Sequence, residues 1–161
     1  MIKPMRLYVM SSGSMYFDQS VFTFGEGMGV PWRVPSLMFL VEHPRGRVLF
    51  DTGLDPALAD DPHGYWGSTA GELRPEVRAD ETVVPQLARL GLTPDDIDFV
   101  VMSCLYKDHA GGLKYFPHSK VIVQQSELQE AWSPTRATRA TYRDPSQLLD
   151  LSDPQDTQVH G

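Results

Sequence analysis

Val100-Val101-Met102-Ser103-Cys104-Leu105-Tyr106-Lys107-Asp108-His109-Ala110-Gly111-Gly112 is the stretch whose reading decides the fold. Its β-branched opening reads as the end of a strand, and its close as a polar loop stopped by paired glycines. Between them the chain places a thiol, a phenol, a carboxylate and an imidazole. Asp108 and His109 admit a local reading, a capped turn with the imidazole hydrogen-bonded to backbone. They also admit a chemical one, an oxygen and a nitrogen donor for a cation. Zinc sites ordinarily use three or four protein ligands, so two residues alone do not hold the ion tightly.

Outward from this loop, short runs rich in Val, Ile, Leu and Phe predict strands at residues 6–11, 36–42, 47–51, 99–103 and 120–124. The turn Pro44-Arg45-Gly46 joins the second and third as a hairpin. Val83, Val84, Leu87 and Leu90 fall at helical spacing over residues 81–90, with Asp80 as cap and Gly91 as stop. Pro85 fits there because it lies in the first turn. Thr93-Pro94-Asp95-Asp96 predicts one helical turn leading into the strand before the loop, and residues 126–132 open another helix. Residues 25–31 and 55–78 read as loops, the second long enough for a binding role. These elements make one domain over residues 1–132. Residues 133–161, polar apart from Leu148, Leu149 and Leu151, read as a poorly ordered tail.

Composition narrows the partners. The chain has 161 residues, 41% apolar content and a formal net charge of −7. A chain of that size has room for one hydrophobic core. The acidic balance, with no basic stripe, disfavours nucleic acid and anionic membrane. A single cysteine excludes an intramolecular disulfide framework. The N-terminal residues lack a signal-peptide pattern and no apolar run reaches the roughly 18 residues that span a bilayer. A cytoplasmic location is the default expectation.

The loop resembles the metal-binding signature of the metallo-β-lactamase superfamily, in which a strand ending in Ser or Thr leads into His-x-His-x-Asp-His and a glycine turn. Cys104 and Tyr106 stand at the two leading His positions, while Asp108 and His109 match. Within the superfamily the chain is most similar to the N-acyl-homoserine lactonase group of quorum-quenching hydrolases. That similarity is carried by Val48-Leu49-Phe50-Asp51-Thr52-Gly53, Asp61-Pro62-His63-Gly64-Tyr65-Trp66-Gly67 and the strands around them, in order from about residue 6 to about residue 132.

The resemblance implies an α/β (α+β) fold, a metallo-β-lactamase-like αββα sandwich truncated to roughly its first half. It also implies a zinc-dependent hydrolase of a small-molecule lactone, with two zinc ions in intact relatives and none or one here. Asp108 carries over as the catalytic residue, and Asp108 and His109 as metal ligands. Cys104 has three readings: an inert buried thiol, a substitute zinc ligand, or a nucleophile paired with His109. Tyr106, whose phenol resists ionisation, fills vacated volume. Asp51 is expected to hydrogen-bond the Thr-Gly turn and support the loop from behind. Tyr65 and Trp66, with Met15, Tyr16 and Phe17, line an acyl pocket or simply pack. The later family ligands have no counterpart, so the loop reads as degenerate and hydrolysis is expected near background. The alternative is a non-catalytic binding module that self-associates as a homo-oligomer through an uncovered sheet face.

Overall fold

Period-two alternation builds the molecule around one sheet. The computed structural model describes residues 4–142 and 157–160. Its strands are β1 (Arg6–Asp18), β2 (Pro31–His43), β3 (Gly46–Phe50), β4 (Phe99–Val101), β5 (Lys120–Gln124) and β6 (Thr157–His160), in the spatial order β1-β2-β3-β4-β5-β6. The first three run antiparallel to their neighbours, and β3 to β6 run parallel. Antiparallel neighbours need only a tight turn, here Pro44 and Arg45 between β2 and β3. Parallel neighbours need a crossover, and the chain between β3 and β4 supplies α1 (Pro62–Trp66), α2 (Ser68–Leu73) and α3 (Val83–Arg89). After β5 comes α4 (Gln125–Trp132).

Alternate residues of each strand face opposite sides. On one side Met10, Met38, Leu40, Leu49, Val100, Val121 and Val123 pack with Val83 and Leu87 of α3, Ala131 of α4, and Leu105, Leu113 and Phe116 from the loop. Met38, Leu40, Leu49, Leu87 and Val100 are wholly excluded from solvent. A smaller cluster, Met15, Leu54, Leu58, Trp66 and Ala70, ties the far end of β1 to α1 and α2. On the other side of the sheet, register aligns Val9, Phe39, Phe50, Val101 and Ile122 in one cross-strand row. Leu7, Val41, Val48, Phe99 and Lys120 form the next. Phe39 and Phe50 meet edge to face with centroids 6.3 Å apart.

The structure lengthens the first two expected strands, ends the fourth early at Val101 and adds helices. β1 runs on to Asp18 because a register shift between Ser11 and Ser14 absorbs Gly13, whose φ of +125° no other residue adopts easily. A Ser-Ser-Gly-Ser run reads as a strand end in sequence, whereas here it bends a continuing strand. Residues 55–78 are not a plain loop. Asp55 caps a 3-10 turn at Pro56–Ala59, and Asp61 caps α1 through the Gly64 N–H at 2.8 Å. Both caps precede a proline, a start signal too short-ranged to outweigh the missing apolar period. In the stretch expected to be a poorly ordered tail, Tyr142 is buried and 157–160 pair with β5, while residues 143–156 lie outside the described residues.

Leu49 sits in the central antiparallel-to-parallel junction with no solvent exposure. Leu49→Ala is expected to cost about 3 kcal/mol of unfolding free energy. Urea unfolding followed by circular dichroism measures it, and a loss below about 1 kcal/mol would show the sheet is not packed as described.

Candidate functional site

β3 and β4 end side by side, and their following loops are sewn together. The Asp51 N–H donates to the Val101 carbonyl at 2.9 Å, extending the β3–β4 ladder by one bond. Beyond it, the N–H groups of Thr52 and Gly53 both donate to the His109 carbonyl, at 2.8 and 2.9 Å, and the Thr52 hydroxyl adds a third bond at 3.0 Å. The Gly111 N–H returns a bond to the Gly53 carbonyl at 2.8 Å. Glycine is required at 111 because a Cβ there would meet the Asp55 backbone and lie 2.7 Å from the Gly53 carbonyl oxygen. The Asp-Thr-Gly and Ala-Gly-Gly segments thus form one backbone unit, although more than fifty residues separate them in sequence.

Asp51 is the centre of that unit. It is buried, at 3% exposure, and adopts φ +57°, a conformation that Asp tolerates better than most residues. Its carboxylate accepts from the Ser103 N–H at 2.8 Å and the Ser103 hydroxyl at 2.6 Å, and pairs with His109 Nδ1 at 2.8 Å. The expected bonds from Asp51 to the Thr-Gly turn are replaced by these. The support role anticipated for it is carried instead through Ser103 and His109.

His109 Nε2 lies 3.4 Å from Asp108 Oδ2, so the imidazole bridges two carboxylates. The Asp51 hydrogen bond raises its pKa above the usual histidine value, against the opposing effect of burial. Burial raises the Asp108 pKa, with the neighbouring His109 charge opposing it. The Cys104 thiol is pushed up to about 11, first by burial and further by Asp108 and Asp51. A thiol with that pKa is a weak nucleophile at neutral pH. Tyr106 packs edge-on against Tyr142, centroids 4.9 Å apart, and pairs with it through an isolated bridge. Its side chain is occupied with packing.

Cys104, Asp108 and His109 therefore come to one end of β3 and β4, as the sequence suggested. Among the described residues, however, no three His, Cys, Asp or Glu side chains are grouped so that they could hold a metal ion. Zinc ordinarily uses three or four such donors, and of the loop's imidazole Nδ1 is hydrogen-bonded to Asp51 while Nε2 lies beside Asp108. Among the described residues the donor set is short of what zinc needs.

Two neighbours of the site had no sequence signal. The Lys107 ammonium lies 4.8 Å from the Trp66 ring centroid, and burial lowers its pKa. Buried Asp55 accepts from Lys114 Nζ at 2.7 Å and from the Tyr65 hydroxyl. The partners stand 59 and 10 residues away in the chain. Only three-dimensional proximity reveals such pairs. Tyr65 and Trp66 thus pack against the loop; His63 lies apart, with Tyr16 and Arg74, on a cleft of about 560 Å³ beside α2.

The metallo-beta-lactamase superfamily profile matches residues 31–155, which include every element of the site. The chain belongs to the metallo-beta-lactamase superfamily. It is 36% identical over 129 residues to the N-acyl homoserine lactonase AttM of Azorhizobium caulinodans, a match covering 80% of this chain and 49% of that one. It is 31% identical over 128 residues to an N-acyl homoserine lactonase of Bacillus thuringiensis, covering 78% and 51%. Among solved structures it superimposes on an N-acyl homoserine lactone hydrolase holding N-hexanoyl-L-homoserine at its catalytic metal center. There the TM-score is 0.81, the identity 25% and the coverage 99% of this chain and 60% of that one. The chain spans about half the length of the curated relatives it matches. The mixed sheet with flanking helices is thus the superfamily fold over the part it covers. No helix among the described residues is long and apolar enough to cross a membrane.

The raised pKa values give the site a definite pH response. A histidine raised above its unfolded value of 6.5 contributes stability in full below that pH and loses it as pH rises through the folded value. Cys104, raised from 9.0 to about 11, acts in the same direction at higher pH. Thermal midpoints are expected to fall between about pH 6 and about pH 9, and His109→Gln should flatten that slope. Differential scanning fluorimetry across this range tests it; parallel slopes for the two proteins would rule out the Asp51–His109 pair as the source.

Proposed function

We propose that the chain carries the metal-loop portion of a lactone hydrolase of the N-acyl homoserine lactonase type, with chemistry impaired by its own donor set. Membership of the superfamily and the similarity to named lactonases support the reaction class. One observation supports the impairment: positions 104 and 106 offer a poorly ionising thiol and a packed phenol, beside a single imidazole whose Nδ1 is bonded to Asp51.

Opening a lactone requires a water to attack the acyl carbon, the ring carbon–oxygen bond to break, and the departing alkoxide to take a proton. Asp108 is the residue to which we assign the proton-handling part. It is largely shielded from water, and burial raises its pKa toward the range where a carboxyl can give and take a proton. Its backbone is fixed by the Ser36 hydroxyl, which donates to the Asp108 carbonyl at 2.7 Å. His109 and Cys104 are assigned as the remaining positions from which a metal site would have to be rebuilt. A zinc supplied to such a site lowers the pKa of its bound water and polarises a carbonyl. The substrate is then an uncharged acyl lactone, compatible with an acidic protein, and the working compartment is the cytoplasm.

The test pairs a metal count with an activity. The natural chain is expected to hold well under one zinc per chain by plasma mass spectrometry and to open N-hexanoyl homoserine lactone at close to the background rate. Cys104→His combined with Tyr106→His should bind zinc. Hydrolysis by the natural chain that is abolished both by a chelator and by Asp108→Ala would overturn the impairment. Failure of the double variant to gain zinc would count against the assigned ligand positions.

A further inference from the structure

β1 carries an irregularity beside the metal loop. Its ladder with β2 pairs Ser11 with Leu37 and Ser14 with Pro35, so Ser12 and Gly13 together stand opposite Ser36. Two residues against one make a β-bulge, which re-aims a side chain out of the regular alternation. Ser12 and Ser36 are only 0% and 5% exposed, so their hydroxyls must find partners within the chain itself.

The partners form a one-way chain of hydrogen bonds. The Leu54 N–H donates to Ser12 Oγ at 2.8 Å, Ser12 donates to Ser36 Oγ at 3.1 Å, and Ser36 donates to the Asp108 carbonyl at 2.7 Å. The direction is set at both ends, because a backbone N–H only donates and a carbonyl only accepts. Each hydroxyl between them has a single proton to pass on. Bonds in such a chain polarise one another, each strengthening the next. Ser12 also packs directly on the Asp-Thr-Gly turn, where a Cβ on Gly53 would meet its hydroxyl.

We infer that Ser12 and Ser36 are positioning residues for Asp108, and that the β1 bulge serves to aim Ser12 into this relay. The inference rests on the proton-handling role proposed for Asp108, which needs a carboxyl held in one place. The Asp51 carboxylate fixes the neighbouring His109 from the end of β3, and the two serines fix the Asp108 peptide from β1 and β2. Four segments distant in sequence thus converge on one peptide unit: the turn after β3, the bulge, β2 and the loop. The serines reach the Asp108 carbonyl and leave its carboxyl free, so their part is orientation.

Amide hydrogen exchange of the full chain, read by nuclear magnetic resonance, tests the inference. The reporters are the loop amides of His109, Ala110 and Gly111, each of which donates to a backbone carbonyl. Ser36→Ala should speed their exchange about tenfold more than that of the β3 amides, the size of one lost hydrogen bond. Ser36→Thr, which keeps the hydroxyl, should restore protection. Ser12→Ala removes no atom that bonds to Asp108 or His109, yet it should speed the same amides in the same direction by a smaller factor. In the Cys104→His with Tyr106→His background, Ser36→Ala should weaken zinc binding about tenfold or more, and Ser36→Thr should not. A merely structural role speeds exchange evenly in β3 and the loop and leaves zinc affinity unchanged, and that result would overturn the inference. Loop exchange unmoved by Ser12→Ala would overturn it as well. Exchange is read with the natural residues at 104 and 106, so it decides the relay even where the double variant takes no zinc and the assigned ligand positions fail.

Discussion

The buried Asp51 carboxylate is the constraint on which the rest of the site depends. A carboxylate out of water must find donors, and this one finds the Ser103 N–H, the Ser103 hydroxyl and the His109 ring. Those bonds fix the end of β4 and the imidazole relative to the end of β3. Backbone bonds from Thr52 and Gly53 to the His109 carbonyl complete the attachment. Removing the carboxylate would release both the loop geometry and the charge that holds the imidazole in its raised state. The position of Asp108 follows indirectly, because it is the residue next to His109 and its carbonyl is held by Ser36.

In the loop, the backbone frame and the side chains at positions 104 and 106 are separate. Cys104 and Tyr106 occupy positions where the resemblance calls for imidazole, yet nothing in the backbone unit depends on those side chains. Tyr106 finds an aromatic partner in Tyr142, and the Leu105 N–H is satisfied by the Glu127 carboxylate at 2.7 Å. The glycines that permit close approach and the Asp-Thr-Gly turn remain. The frame is thus carried by residues other than Cys104 and Tyr106.

Much of the frame was legible in sequence. β5 has the bounds that its alternation predicts, and α3 coincides with the apolar spacing of Val83 and Leu87. The hairpin at Pro44 follows from turn chemistry that acts over three residues. What escaped was set by longer range. Gly13 bends a strand because the Glu76 carbonyl lies where a Cβ would be, and nothing near Gly13 in sequence announces that neighbour. The ends of β1 and β2 extend because they pair with each other from Ser14 to Asp18, opposite Pro35 to Pro31. At the site, the motif pointed to Asp108 and His109, but it could not show that Asp51 takes the Nδ1 nitrogen of the imidazole.

The strand order also has a kinetic consequence. β1, β2 and β3 are joined by local antiparallel connections, and hairpins of this kind close in about 1–10 μs. The β3–β4 pair must wait for a chain segment of 48 residues, between Phe50 and Phe99, to arrange α1 to α3 before any ladder bond forms. Parallel pairing across such a separation is slow, because loop-closure entropy is lost before contacts compensate it. The two halves of the backbone unit around Asp51 meet only once that crossover has closed, so the site depends on the long-range part of the topology.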